Sequence, residues 1–228
     1  MIYWNNKVKE RIPAFPVTIV KISNLTVRET DEKLFNLTFE NVRNTIFNRT
    51  SLNELKDNRI IRLYRDFYWK YLDIDPTKIR PSGEALARRI LQGKRIPRIL
   101  NVVDAYNFAS AETFISFGAY DFDKVVTPLI FDFAKENESF FGIGMKEPKV
   151  LKGKELVLRD KIGIINIYPY RDSDRTKVTK ETRNVLLIGA GVPGLDEKTL
   201  IEATEKAVKN IIAFAEGEAS EIKVYTST

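Results

Sequence analysis

Apolar positions in the first half of the chain recur at helical spacing after one β-like segment. β-Branched residues alternate in part over residues 14–28, which predicts one or two strands. Thr30 or Asp31 can cap a following helix that ends near Phe47. Apolar side chains then recur every three or four positions over 52–72, which predicts a second helix with an aromatic stripe in the core. The stripe consists of Tyr64, Phe67, Tyr68 and Tyr71.

Two shorter helices are expected next, before the pattern changes to short apolar runs. Ser82 is predicted to cap a helix that Gly93 ends, and another helix is predicted over 101–111. From about residue 115, apolar runs lie between turn residues and are typical of strands. Asp196 can cap a last helix to about Phe214, followed by a final strand. The six apolar runs that are predicted as strands from about residue 115 onward are Phe117–Tyr120, Leu129–Phe133, Phe140–Ile143, Glu155–Leu158, Ile162–Tyr168 and Asn184–Ile188.

A helical first half and a β-rich second half predict an α+β fold rather than regular alternation of strands and helices. The chain shows no internal repeat and no low-complexity linker. We therefore expect one compact unit, in which residues 1–79 form an N-terminal strand and helical region packed on a core formed by residues 80–228.

Charge composition weakly favours an anionic partner. Lys and Arg outnumber Asp and Glu by 37 to 31, which gives a net charge of +6. Positive residues concentrate in one short stretch that follows the helix predicted after Ser82. This stretch is a candidate phosphate-contacting surface, and the alternative is a solvated helix face. Its members are Arg88, Arg89, Lys94, Arg95 and Arg98.

The absence of two residue types limits the chemistry that the chain can perform. Without Cys there is no disulfide, thiolate nucleophile or Cys-ligated metal, and without His there is no Ser-His-Asp triad or imidazole base. We expect no metal site and no cofactor. The start of the chain lacks the apolar segment of a signal peptide, and no run is long enough to span a bilayer, so we expect a cytoplasmic protein without membrane contact.

One motif suggests a nucleotide cofactor, but its context argues against that interpretation. Gly189, Gly191 and Gly194 have the G-x-G-x-x-G spacing of a dinucleotide fingerprint after a predicted strand. The last glycine, however, precedes the predicted cap Asp196 instead of lying in the first helical turn. Too little chain follows for half of a dinucleotide-binding fold, so a glycine-rich turn is expected.

Four separated blocks, in one order, resemble a known family over about residues 80–190. The blocks are RPSGEALARRI, GKRIPRILNVVDAYNFAS, GAYDFDK and YRDSDRTKVTKETRNVLLI. They resemble the editing domain formed by the B3 and B4 modules of the phenylalanyl-tRNA synthetase beta chain, and still more its free-standing relatives. The resemblance implies a mixed β-sandwich flanked by helices that handles aminoacylated tRNA.

The resemblance also implies positions for the site. The family's helical asparagine falls on Asn107, with Tyr106 in the same block, and its histidine falls on Gly118, where this chain departs from the family. The acidic residue that discriminates the amino-acid side chain falls near Asp174. Because the surrounding loop differs from the synthetase version, the amino acid that is recognised cannot be carried over.

Hydrolysis of an aminoacyl ester needs a positioned water, a proton acceptor and a donor for the developing oxyanion. A neighbouring ribose hydroxyl can assist, so no histidine is required. The polar loop after the fifth predicted strand and the helix block therefore supply the candidates. Predicted catalytic residues are Asp174, Asn107, Thr176 and Ser173. Predicted substrate-binding residues are Tyr106, Gly118, Asp121, Arg171, Asp172 and Arg175.

Two functions from different classes remain open from these residues. One is a trans-acting hydrolase that deacylates mischarged tRNA at its acceptor end. The other is a module of the same fold that binds tRNA or an aminoacyl group without cleaving it.

Asp121 and Asp123 could form an acidic pair on one strand face, although turn capping is the favoured interpretation. The amino acid, the tRNA and the oligomeric state are not assigned.

Overall fold

Six helices and twelve strands form the part of the chain that the computed structural model describes, residues 2–227. None of the helices in this range has both the length and the apolarity needed to cross a bilayer. The helices are α1 (Asn6–Arg11), α2 (Glu32–Arg49), α3 (Arg59–Tyr71), α4 (Ser82–Leu91), α5 (Asn101–Thr113) and α6 (Glu197–Ala215). The strands are β1 (Ile2–Trp4), β2 (Pro16–Ser23), β3 (Ser116–Asp121), β4 (Leu129–Phe133), β5 (Glu136–Phe140), β6 (Lys149–Lys152), β7 (Leu156–Arg159), β8 (Ile164–Ile167), β9 (Arg171–Asp172), β10 (Val185–Ala190), β11 (Glu218–Ala219) and β12 (Lys223–Thr226).

Two five-stranded sheets share one hydrophobic core. In the first sheet the order is β1-β4-β7-β8-β9, and only the β1–β4 pair is parallel. In the second sheet the order is β11-β2-β10-β3, with β12 also paired to β2, and every pair is antiparallel. Strands β5 and β6 form a separate two-stranded sheet. The predicted α+β class is confirmed, with helices covering a mixed β core.

The capped helices lie where the sequence placed them. The Asp31 side chain accepts from the Leu34 amide at the start of α2, and Asp196 accepts from the Thr199 amide at the start of α6. The second predicted helix begins later than expected, because residues 55–57 form a 3₁₀ turn and Asn58 caps α3. The cap predicted at Ser82 is wrong.

Proline explains the error at the start of α4. Pro81 occupies the capping position without a side-chain hydrogen bond, and Ser82 is the first helical residue. Gly93 follows α4 with φ of +74°, a left-handed conformation that suits glycine after a helix end. The predicted helix over 101–111 is confirmed as α5.

Most of the predicted strands exist, and the errors concentrate in short or polar segments. The run at Leu129–Phe133 has the predicted bounds, whereas the run at Phe140–Ile143 is wrong because β5 ends at Phe140. Strands β1, β6, β9 and β11 and helix α1 were not predicted. The aromatic stripe lies in the core as expected, with Tyr64, Phe67 and Tyr68 fully buried.

The glycine-rich segment after β10 makes a close approach between backbones. A Cβ on Gly191 would lie 1.9 Å from the Pro16 carbonyl oxygen, so a side chain there is incompatible with the pairing of β2. Gly194 has φ of +83° and precedes the cap Asp196. The strands on both sides of β10 are antiparallel to it, unlike the parallel sheet of a dinucleotide-binding fold.

A buried carboxylate joins helices α3 and α4. The Glu84 side chain is fully buried, and Arg65 binds it through two guanidinium nitrogens, with an Nε–Oε2 distance of 2.8 Å. Arg88 and Arg80 approach the same carboxylate, with Nε–Oε1 distances of 3.7 and 3.9 Å. Three arginines therefore compensate one buried negative charge.

We expect Glu84→Gln to lower the free energy of unfolding by about 3 kcal/mol, because breaking a buried ion pair leaves its partners uncompensated. Urea denaturation measures this loss. Glu40→Gln is the matched control, since Glu40 pairs with Arg43 on the surface of α2, where a pair contributes under about 0.5 kcal/mol. Equal losses in the two variants would contradict a structural role for Glu84.

Candidate functional site

A cavity of about 320 Å³ opens where the two sheets face each other. The second sheet contributes Ser116, Gly118 and Tyr120 from one face of β3, where alternate residues point the same way. The first sheet contributes Asn166 from β8 and Asp172 from β9. Ile79 and Arg80 from the segment before α4, together with Ser82 at the start of that helix, also line the cavity.

A chain of three hydrogen-bonded polar side chains links the two sheets at the cavity. The Asn166 Nδ2 donates to the Tyr120 hydroxyl at 2.7 Å, and that hydroxyl donates to Asp172 Oδ1 at 2.6 Å. Asn166 and Asp172 are direct partners in the β8–β9 ladder, while Tyr120 reaches them from β3. The β8–β9 pairing therefore fixes the two ends of the chain next to each other, and the middle member Tyr120 joins them to the second sheet.

Two buried polar atoms in the cavity wall have no hydrogen-bond partner within the described chain, Asn166 Oδ1 and Ser116 Oγ. The orientation of Asn166 follows from its neighbours. An ionised Asp172 only accepts, so Tyr120 must donate to it, and Asn166 must then donate its amide to the Tyr120 oxygen. Its own oxygen is left free. Buried acceptors without partners are unusual, and these two atoms are open to a hydrogen bond from water or from a ligand in the cavity.

Burial raises the pKa of Asp172 to about 6, and hydrogen bonds from Tyr120 and Asn166 and the charge of Arg171 oppose the shift. The carboxyl is half-buried and is the only carboxylate among the described residues that line the cavity. At neutral pH it is therefore mostly ionised, although an exposed aspartate is ionised far more completely.

Gly118 makes room for the Tyr120 hydroxyl. A Cβ on Gly118 would lie 2.6 Å from that oxygen, well inside van der Waals contact. Position 118 is where the family resemblance placed a histidine. In this chain the phenol of Tyr120 occupies the space that a side chain at 118 would enter.

Three of the ten predicted catalytic and substrate-binding residues line this cavity: Gly118, Arg171 and Asp172. Tyr106 and Asn107 lie on α5, half-buried and outside the lining. Burial, followed by the charges of Asp172 and Asp104, raises the pKa of the Tyr106 hydroxyl far above its ordinary value.

The polar loop after β9 is placed away from the cavity. Ser173 caps a 3₁₀ turn by accepting from the Arg175 amide, and Asp174 pairs with Lys177 at 2.8 Å. Arg175 pairs with the buried Asp160 at 2.8 Å. The Thr176 Oγ1 is buried without a partner in the described part of the chain.

Asp121 has the turn-capping role that was favoured for it. Its carboxylate accepts from the Asp123 amide at 3.2 Å and from the Thr182 hydroxyl at 2.8 Å, and Lys124 lies 3.3 Å away. Asp123 lies beyond the end of β3, so the expected shared strand face is wrong. Within residues 2–227, no group of three or more acidic, His or Cys side chains could hold a metal ion.

The basic stretch of the sequence separates into bound and exposed members. Arg88 is held by Glu84, and Arg89 donates through Nε to the Arg95 carbonyl oxygen. Arg95 binds Asn36 and stacks over the Phe35 and Phe39 rings. Lys94 and Arg98 are exposed and form no hydrogen bond or salt bridge through their side chains within the described residues.

Sequence reasoning did not select Tyr120, Asn166, Ser116 or Arg80. One signal could have identified Asn166, because it is a polar residue inside the apolar strand β8, and a buried amide needs a partner. Ser116, Gly118 and Tyr120 share a strand face through their spacing of two. Arg80 comes from a loop, and only the fold brings it to the cavity.

The raised pKa of Asp172 predicts a specific pH dependence of stability. Between about pH 4 and pH 6 the folded protein holds the Asp172 proton more tightly than the unfolded chain, so stability falls as the pH rises through this range. Asp172→Asn does not titrate and should gain stability relative to the wild type over the same range. Urea denaturation of both proteins at several pH values tests this, and a constant difference would contradict the raised pKa.

Comparison with known proteins agrees with the resemblance. Residues 63–216 match the family model of the B3/4 domain. The phenylalanine–tRNA ligase beta subunit of Thermococcus onnurineus strain NA1 is 28% identical, over 68% of this chain and 31% of that protein. An N-terminal fragment of the phenylalanyl-tRNA synthetase beta subunit from Pyrococcus horikoshii is 18% identical, with a TM-score of 0.47, over 96% of this chain and 50% of that chain. The chain thus spans about a third of the curated relative's length. Because the family match covers more than half of the chain, the chain belongs to the B3/4 domain family.

Proposed function

We propose that this protein binds the aminoacylated 3′ end of a tRNA and hydrolyses its ester bond in the cavity between the sheets. The related beta subunit belongs to a tRNA ligase, which makes tRNA the proposed partner. The observation that carries the proposal is the polar chain of Asp172, Tyr120 and Asn166, with the free acceptor Asn166 Oδ1 in the same cavity.

The amino group of the substrate is assigned to the carboxylate end of the cavity. An ammonium group has three donors and no acceptor, which matches the Asp172 carboxylate and the free Asn166 oxygen. Asp172 Oδ1 already accepts from Tyr120, so Oδ2 is left for the ligand. The Tyr120 bond keeps this carboxylate oriented when the cavity is empty or filled.

The tRNA side of the substrate is assigned to the other end of the cavity. Ser116 lies four residues before Tyr120, which is about 13 Å along an extended strand. Its free hydroxyl and the nearby Ser82 and Arg80 provide donors for ribose or phosphate oxygens. Arg171 is exposed at the cavity lining beside Asp172 and adds a second positive charge to the cavity.

Water is the proposed nucleophile, since the sequence contains no Cys or His to form an acyl-enzyme through the usual pairs. The water oxygen attacks the acyl carbon, and the bond from that carbon to the ribose oxygen breaks. The ribose oxygen takes one proton of the water, and the acid product releases the other to solvent. The neighbouring ribose hydroxyl can carry the first proton, while the protein contributes orientation.

One observation favours the second candidate, a module that binds the aminoacyl end without cleaving it. The Tyr120 hydroxyl fills the space beside Gly118 and commits its proton to Asp172. A base other than Asp172 is therefore missing from the described cavity lining. Deacylation assays separate the two candidates directly.

We expect the purified protein to deacylate at least one member of a panel of mischarged tRNAs, and Asp172→Asn to reduce kcat/KM roughly ten- to hundred-fold. A lost charge-assisted hydrogen bond of about 1.5–3 kcal/mol gives this range. Uncharged tRNA should bind the variant normally.

Asp174→Asn is the discriminating companion variant, because its carboxylate is two residues away and paired with Lys177. If Asp174→Asn lowered the deacylation rate and Asp172→Asn did not, the catalytic carboxylate would lie in the loop after β9 and the proposed cavity site would be wrong. A wild-type protein that binds the charged tRNAs but cleaves none would favour the binding module.

A blocked amine should abolish recognition at the carboxylate end. We expect N-acetylaminoacyl-tRNA to be hydrolysed at least about tenfold more slowly than the same aminoacyl-tRNA, because the amide has no positive charge for Asp172. Asp172→Asn should shrink this preference. Equal rates for both substrates in the wild type would place the amino group outside the site while leaving hydrolysis itself intact.

A further inference from the structure

A second cavity of about 240 Å³ adjoins the first. Both cavities are lined by Ile79, Tyr168 and Tyr170, so these side chains form a common wall. The remaining lining comes from the segment after α3, from β6, β7 and the turn between them, and from Ile167 of β8. The two cavities are therefore direct neighbours, separated by these three side chains.

The rim of the second cavity carries positive charge that is only partly compensated. Lys149, Lys152 and Lys154 line it, and Lys154 pairs with Asp73. The Glu155 carboxylate accepts from the backbone amides of Lys152 and Lys154, at 3.0 and 3.2 Å. Neither Lys149 nor Lys152 forms a salt bridge within the described part of the chain, and both are exposed.

The floor of the same cavity is apolar and aromatic. Leu72, Ile74, Ile79 and Tyr170 all contribute to its lining. Tyr170 is held in place by Tyr68, with a ring-centroid distance of 6.2 Å. An aromatic face beside free ammonium groups is the pattern with which proteins bind single-stranded nucleic acid, because bases stack on the ring and lysines follow the phosphates.

We propose that the second cavity binds a nucleotide of the single-stranded tRNA 3′ end, next to the aminoacylated residue in the first cavity. Lys149 and Lys152 contact its backbone phosphates, and its base stacks on Tyr170. This inference rests on the proposed function for the identity of the RNA. It places the principal contact to the acceptor end on β6 rather than on the basic stretch around α4, where Arg88, Arg89 and Arg95 are already engaged.

The test compares the binding of uncharged tRNA with that of the same tRNA lacking its last three nucleotides, at several salt concentrations. The wild type should bind the intact tRNA more tightly. The double variant Lys149→Ala/Lys152→Ala should lose that preference. For intact tRNA its salt slope should fall by about 1.4, since each single-strand phosphate contact contributes about 0.7.

A matched control is Lys209→Ala/Lys223→Ala, which removes the same charge from α6 and β12, outside both cavities. It should keep the preference for intact tRNA.

Tyr170→Leu should weaken binding of intact tRNA about five- to hundred-fold without changing the salt slope. Tyr170→Phe should bind normally, because stacking needs only the ring.

Three results would overturn the proposal. In the first, the lysine double variant keeps its preference for intact tRNA over shortened tRNA. In the second, the control pair loses that preference to the same extent. In the third, a free mononucleotide competes with tRNA binding as effectively as the RNA end does. The assay uses uncharged tRNA, so a protein that cleaves no ester can still satisfy it. Conversely, if the protein hydrolysed charged tRNA but bound intact and shortened tRNA equally, the second-cavity proposal would fail while the proposed hydrolysis would stand.

Discussion

The hydrogen bond from Tyr120 to Asp172 is the constraint on which the cavity depends. Tyr120 belongs to the second sheet and Asp172 to the first, so this bond fixes the distance between the sheets at one end of the cavity. Tyr168 makes an equivalent link from the first sheet, since its hydroxyl donates to the Gly191 carbonyl oxygen at 2.6 Å. Two tyrosines thus span the gap, and the polar atoms between them are held in place before any ligand arrives.

The fold could be predicted from sequence wherever local chemistry and periodicity agreed. Helices α2 and α6 begin at aspartates that cap them through side-chain hydrogen bonds, a signal confined to four residues. Strand β4 was located because it is a short apolar run between turn residues. The β5–β6 pair was missed because its burial is slight, and β9 was missed because it has only two residues. Such strands exist through pairing with distant segments, which periodicity does not report.

The site was predictable only in part, for a related reason. The sequence identified a charged segment after β8 but not which of its carboxylates faces the cavity. That choice depends on where β9 ends, since Asp172 still pairs with β8 while Asp174 has entered a 3₁₀ turn. Likewise, the basic stretch looked uniform in sequence. Folding engages Arg88 with a buried carboxylate from the same helix and leaves Lys94 in solvent.

The close approach at Gly118 has an evolutionary consequence. Any side chain at 118 competes with the Tyr120 hydroxyl for one volume, so the two positions are epistatic. A lineage could exchange a glycine–tyrosine pair for a larger residue at 118 only by also losing or moving the phenol, because introducing the larger residue first places two groups in the same space. The two positions should therefore covary among B3/4 domains, and each combination would define a separate subgroup with its own way of bridging the sheets.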